Sequence, residues 1–138
     1  MEAFVTSATG VRSPRIIYGT AWKKERTARL VTTALEIGFR GIDTACQPRH
    51  YDEPGVGAGI AAALGPGLDR TDIYLQTKFT PLGGHDPQRI PYDPDASLPE
   101  QVLESCGVSL RNLRTGYLDC LILHSPLPTL RQTFEAWY

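Results

Sequence analysis

Four side chains in this 138-residue chain have types that could work together: Asp43, Tyr51, Lys78 and His124. An unperturbed phenol releases its proton near pH 10, too high for ready donation at neutral pH. An ammonium beside it favours the phenolate and lowers that value, and a carboxylate beside the ammonium keeps it charged and oriented. An imidazole within hydrogen-bond reach can hold a substrate oxygen. Together they make a tuned phenol acid with an orienting imidazole, suited to protonating a carbonyl oxygen while another reagent attacks its carbon. None of the four can deliver a hydride, so a cofactor is needed for a reduction.

Residues so far apart in sequence meet only if the elements between them bring them together. Arg15 to Thr20, RIIYGT, reads as a strand, and residues 4–17 before it could supply a hairpin. Lys24 to Ile37 carries Ala28, Val31 and Leu35 at helical spacing, with Gly38 as the end cap. GIDTA is a second strand. Residues 53–64, EPGVGAGIAAAL, form a second helix with Pro54 in its first turn. Its glycines weaken it by about 1 kcal/mol each relative to alanine, so packing must hold it.

Residues 73–79 read as a third strand. Residues 81–98 hold four prolines and Gly83-Gly84, which predicts a mobile loop. Ser97 and Glu100 have capping-box spacing before a helix that runs to about Leu113. That helix is expected to bury Leu103, Cys106, Leu110 and Leu113, and to end at Gly116. Tyr117 to Leu123 is the fourth strand, followed by a turn at Ser125-Pro126 and the start of a fourth helix.

The order is βα four times, which implies parallel strands joined by crossover helices. In that layout Asp43, Lys78 and His124 sit at the C-terminal ends of consecutive strands, and Tyr51 lies on the loop after the strand of Asp43. All four then share one edge, where α/β folds place their chemistry.

The chain also admits other readings. Cys46 reads as an incidental loop thiol. Asp43, His50 and His124 could ligate a metal, but no HxH or HExxH spacing supports it. GVGAG has Ile60 where GxGxxG needs its third glycine, and follows DEP rather than an apolar strand. Tyr74 and Lys78 have YxxxK spacing, but on a strand such residues lie about 13 Å apart.

Composition is that of a globular domain, 41% hydrophobic and 21% charged. The formal net charge of −1 and the absence of a basic stripe give no reason to expect nucleic acid or anionic membrane. No apolar run approaches a membrane span, and the N-terminus does not read as a secretory signal. Three widely spaced cysteines without a CxxC pair predict neither a disulfide frame nor structural zinc, and point to a reducing cytosol.

YGTAW (18–22), GFRGIDTACQPRHYDEPGVG (38–57), YLQTKF (74–79) and LDCLILHSP (118–126) resemble the aldo-keto reductase family. The order Asp, Tyr, Lys, His at strand ends is similar to that family's catalytic tetrad. The resemblance implies that Asp43 pairs with Lys78, that Tyr51 is the general acid and that His124 orients the carbonyl. It puts Gly19 and Thr20, with Asp43, near the cofactor, and Trp22, with His124, near the substrate. The implied activity is NADPH-dependent interconversion of aldehydes or ketones and alcohols.

The implied fold is a parallel (β/α) TIM-type barrel, here one partial domain over 1–138 of about four βα units behind an N-terminal hairpin. A whole barrel takes about 250 residues, and most of the family's cofactor contacts lie on its later strands. The chain therefore resembles the N-terminal half of a reductase, and the alternative is a catalytically silent binding or regulatory module. Unpaired edges on the first and fourth strands predict self-association of the isolated chain. Tyr51 stands eight residues after Asp43 where the family pattern has five; CQPRH reads as a loop insertion, as in a microbial branch of the family.

Overall fold

The computed structural model describes residues 3–137. A hairpin opens the chain: β1 (Phe4–Thr6) pairs antiparallel with β2 (Arg12–Pro14), as expected within residues 4–17. Its turn passes through Gly10 at φ +85°, a conformation that glycine adopts without a Cβ clash. A Cβ on Gly41 would come 2.6 Å from the ring of Pro14, so the hairpin packs against the N-terminal end of the sheet.

The remaining elements alternate: β3 (Tyr18–Gly19), α1 (Thr27–Glu36), β4 (Gly41–Asp43), α2 (Glu53–Ala63), β5 (Tyr74–Phe79), α3 (Leu98–Leu113), β6 (Cys120–Leu123) and α4 (Leu130–Glu135). Strands β3 to β6 form one parallel sheet in sequence order. Unreversed order is the winding of a barrel wall; a doubly wound open sheet reverses at a switch point. Gly38 ends α1 at φ +106°, as its cap position predicts.

The core lies between the sheet and its helices. Val31 and Leu35 of α1, Val56 and Ile60 of α2, Leu113 of α3, Ile42 of β4, and Ile73 and Leu75 pack there. Strand β5 alternates accordingly: Leu75, Thr77 and Phe79 are buried, while Tyr74, Gln76 and Lys78 are only half-buried. The glycines of GVGAG serve this packing. A Cβ on Gly57 would collide with the carbonyl of Asn112 in α3, and one on Gly59 would lie 2.5 Å from that of Ala28 in α1. They bring α2 close to both neighbours.

Three expectations need correction. First, α3 buries Ser105, Ser109 and Leu113, whereas Leu103 is 71% exposed. Leu113 is buried as expected and Cys106 and Leu110 are half-buried, but the helix faces the carboxyl group of Glu53, to which Ser109 and Asn112 donate, so its buried face is turned away from Leu103. Second, α3 ends through Arg114 at φ +55° rather than at Gly116, although its capping box forms as predicted. Third, the proline-rich segment is pinned. It contains a 3-10 turn at Leu82–Gly84, and His85 and Tyr92 are each 6% exposed and bonded to the carbonyl of Thr80.

The fourth strand is shorter than its apolar run, Cys120–Leu123 against 117–123, and all four residues are only half-buried. They have the apolar character of a strand covered on both faces but the exposure of an edge. Among the described residues no helix is long and apolar enough to cross a membrane.

Candidate active site

Parallel pairing decides which side chains meet. Gly19 stands opposite Asp43, Asp43 opposite Gln76, and Lys78 opposite Ile122, with His124 just beyond the end of β6. Every strand points the same way, so these residues gather at one rim.

The centre of the site is an ion pair. The Lys78 ammonium lies 2.7 Å from each Asp43 oxygen and 2.7 Å from the carbonyl of Thr44. An ammonium has three N–H donors, and these three acceptors use them all. Gln76 donates to Asp43 Oδ1 at 2.7 Å from the same strand, two residues before Lys78 and on the same face. Asp43 is thereby held from two sides, and Gln76 is a site residue that sequence reasoning missed.

Tyr51 sits over this pair. The ammonium of Lys78 is 5.1 Å from its ring centroid, and the His124 ring meets it edge-on at 5.8 Å. All four predicted residues are therefore brought together. The electrostatics differ from the expectation. Lys78 was expected to lower the phenol's pKa, yet it stands raised, first by burial and then by the Asp43 carboxylate. Asp43 offsets the ammonium almost at contact, and among the described residues no hydrogen bond joins Lys78 to the phenol. Loss of water then dominates. Tyr51 remains a protonated phenol throughout the neutral range.

The CQPRH segment that separates Asp43 from Tyr51 is a tight turn. The carbonyl of Gln47 accepts from the N–H groups of both His50 and Tyr51 at 3.2 and 3.0 Å. Its side-chain amide donates to Gly84, and the N–H of Cys46 donates to Lys78 of β5. These ties place Tyr51 despite the longer spacing. Burial and the neighbouring Glu53 push the Cys46 thiol up to about 12, which keeps it protonated and unreactive. Among the described residues no cluster could hold a metal ion.

Trp22 flanks the rim. Its ring stacks on that of His50 at 3.9 Å, and its backbone N–H donates to the His50 carbonyl at 2.8 Å. It is 62% exposed and adopts φ +62°, an uncommon backbone state for a bulky residue. The turn insertion thus supplies the seat of Trp22, a link no sequence pattern signalled. Thr20 is fully buried, with its hydroxyl and N–H both donating to the Asp43 carbonyl. Its side chain offers no surface to a ligand and instead positions β4. Gly19 does leave room: nothing lies within 4 Å of where its Cβ would be.

His124 and His85 both have lowered pKa values. Burial is the main cause in each case. For His124 it is reinforced by Lys78 and opposed by Asp43; for His85 it is opposed by the hydrogen bond to Thr80. In the unfolded chain each imidazole titrates near its ordinary value of about 6.5. As pH falls through that value, the unfolded state takes up protons that the folded state does not. Stability is therefore full above about pH 7 and falls as pH drops below about 6.5 toward the folded values. A guanidinium midpoint lower at pH 5.5 than at pH 7.5, with a shallower fall in His85→Gln, is expected. A midpoint independent of pH would contradict it.

Comparison with known proteins finds matches along most of the chain. The family model described as Aldo/keto reductase family matches residues 15–137. The chain is 34% identical over 131 residues to zebrafish (Danio rerio) aldo-keto reductase family 1 member A1-A, covering 92% of this chain and 36% of that protein. It is 31% identical over 139 residues to methylglyoxal reductase DkgA of Yersinia pestis, covering 99% of this chain and 43% of that one. An aldo/keto reductase crystal structure from Brucella melitensis superposes with a TM-score of 0.73 at 30% identity, over 97% of this chain and 46% of that one. The chain thus spans less than half the length of each.

Proposed function

Because this chain belongs to the aldo/keto reductase family, we propose that it carries the acid–base half of an NADPH-dependent carbonyl reductase. The observation that carries this reading is the Lys78–Asp43 pair lying beneath Tyr51 and His124 at one sheet rim. Tyr51 is the general acid and transfers its phenolic proton to the carbonyl oxygen. His124 holds that oxygen in line with Tyr51. Lys78, 5.1 Å from the ring centroid, is the cation facing the phenolate that remains, and Asp43 keeps Lys78 charged and fixed. Trp22, exposed above His50, covers the substrate.

When bound, NADPH supplies the hydride that reaches the carbonyl carbon. Gly19, with open space in place of a side chain, and the Asp43 carboxylate are the residues here that would meet its nicotinamide end. Thr20 contributes by holding Asp43 from below. Residues 1–138 are read as one part-barrel domain. The substrate is a small aldehyde or ketone, and the reducing cytosol suits its three free cysteines. Methylglyoxal is the first carbonyl to try, since a relative bears its name.

The test is a titration of the 138-residue chain with NADPH, followed by quenching of tryptophan fluorescence, then methylglyoxal-dependent oxidation of NADPH. Saturable binding with carbonyl-dependent oxidation supports the reductase reading. Absence of both would favour a silent binding module. Light scattering on the same sample is expected to give more than a monomer's mass, because among the described residues nothing pairs with the outer edges of β3 and β6.

A further inference from the structure

We infer that Thr80 is a positioning residue, whose hydroxyl donates to Nδ1 of His124 and fixes that imidazole as the Nε2–H tautomer. The loop 81–97 holds Thr80 in place for this purpose. The substrate role of the tautomer rests on the carbonyl-reductase reading above; the tautomer itself rests on geometry alone.

The Thr80 Oγ1 lies 2.8 Å from His124 Nδ1, and Thr80 is 3% exposed. Distance alone does not say which atom donates, but the surroundings do. A hydroxyl has one proton to place and a neutral imidazole has one bare nitrogen. Among the described residues Nδ1 of His124 is the hydroxyl's one hydrogen-bond partner. The Thr80 carbonyl already accepts twice, from His85 Nε2 and from the Tyr92 hydroxyl, each at 2.9 Å. If Nδ1 carried the proton, the Thr80 O–H would be buried with no acceptor, the costly way to leave a hydrogen bond unmade. With Thr80 donating, the imidazole proton sits on Nε2. That nitrogen has no hydrogen-bond partner among the described residues, so it is the donor left for a substrate oxygen.

The clamp explains why the proline-rich segment folds back. His85 and Tyr92 lie five and twelve residues beyond Thr80, and their rings pack edge-on at 5.4 Å. Tyr92 also stacks on Phe79 at 5.4 Å. These contacts fix the last turn of backbone after β5, and with it the direction of the Thr80 hydroxyl. A loop that reads as a mobile connector in sequence therefore reaches the site through a main-chain carbonyl.

The experiment is 15N NMR of the histidine side chains in the 138-residue chain above pH 7, with His124 assigned by loss of its signals in His124→Gln. The wild type is expected to show His124 as Nε2–H. Thr80→Val removes the donor at nearly constant volume, and His124 is expected to shift toward Nδ1–H or a mixture. Thr80→Ser should restore the wild-type pattern, which a purely packing role for the threonine methyl would not. In turnover, Thr80→Val should lower kcat roughly tenfold with Ser rescuing it, the lower end of what losing a metal-bound histidine's hydrogen-bond partner costs. An Nδ1–H pattern in the wild type, or an unchanged pattern in Thr80→Val, overturns the proposal. If the tautomer behaves as expected but no carbonyl is reduced, the functional reading fails and the tautomer assignment stands.

Discussion

Tyr51→Phe is expected to lower carbonyl reduction by about 10²–10⁴-fold, the range associated with losing a positioned proton donor. NADPH affinity should hardly change, because the substitution removes one hydroxyl and keeps the ring that packs between Lys78 and His124. The loss should fall on kcat and kcat/KM together, as for an interaction made in the transition state. The phenol's raised pKa adds a second expectation. The acid form should persist beyond the ordinary tyrosine range near pH 10. The alkaline fall in reduction rate should therefore not begin in the neutral range. Turnover in Tyr51→Phe within a few-fold of wild type would remove Tyr51 from the acid role. The eight-residue spacing from Asp43 makes this the decisive variant, since it tests whether the CQPRH turn seats the phenol correctly.

The second large effect lies outside the rim. Glu53 is 2% exposed, and its carboxyl group accepts from Thr77 of β5 at 2.6 Å and from Ser109 and Asn112 of α3. One side chain at the start of α2 thereby joins three elements. Glu53→Ala would leave three donors without their acceptor, at about 1–3 kcal/mol for each that stays buried and unmet. The expected loss is about 3–5 kcal/mol, a large share of the roughly 5–15 kcal/mol that holds a domain together. Glu53→Gln keeps the shape and one strong acceptor, and hydroxyls can rotate to suit the new amide, so its cost should be smaller. Guanidinium midpoints with unchanged slopes would measure both. A loss below about 1 kcal/mol in Glu53→Ala would mean that water replaces the missing oxygens.

Glu53 also shows why part of the fold was hidden. In sequence it appears only as an acidic residue before a glycine-rich helix. Its partners lie 24 to 59 residues away, and no local pattern joins them. The same network explains why Ser109 rather than Leu103 lies on the buried face of α3. Leucine spacing selects an apolar stripe, but a helix facing a buried carboxyl group needs serine there. Gln76, Thr80 and the His50 seat of Trp22 were missed for a related reason: each acts through one hydrogen bond or stack to a distant residue. Gln76 alone carried a usable signal, because period-two alternation puts it on the face of Lys78.

By itself the sequence determined the alternation of strands and helices, the parallel order that follows, and the common rim for Asp43, Lys78 and His124. Hydrophobic period and turn residues are local properties, and strands that all run one way must deliver their ends to one edge. Only the tertiary structure decided how charge and protons are shared there. The Lys78 donors are all taken by Asp43 and Thr44, the Tyr51 phenol is pushed up rather than down, and Thr80 sets the proton on His124. A pKa or a tautomer depends on burial and on atoms within about 3 to 5 Å. Such distances exist only once the chain has closed on itself.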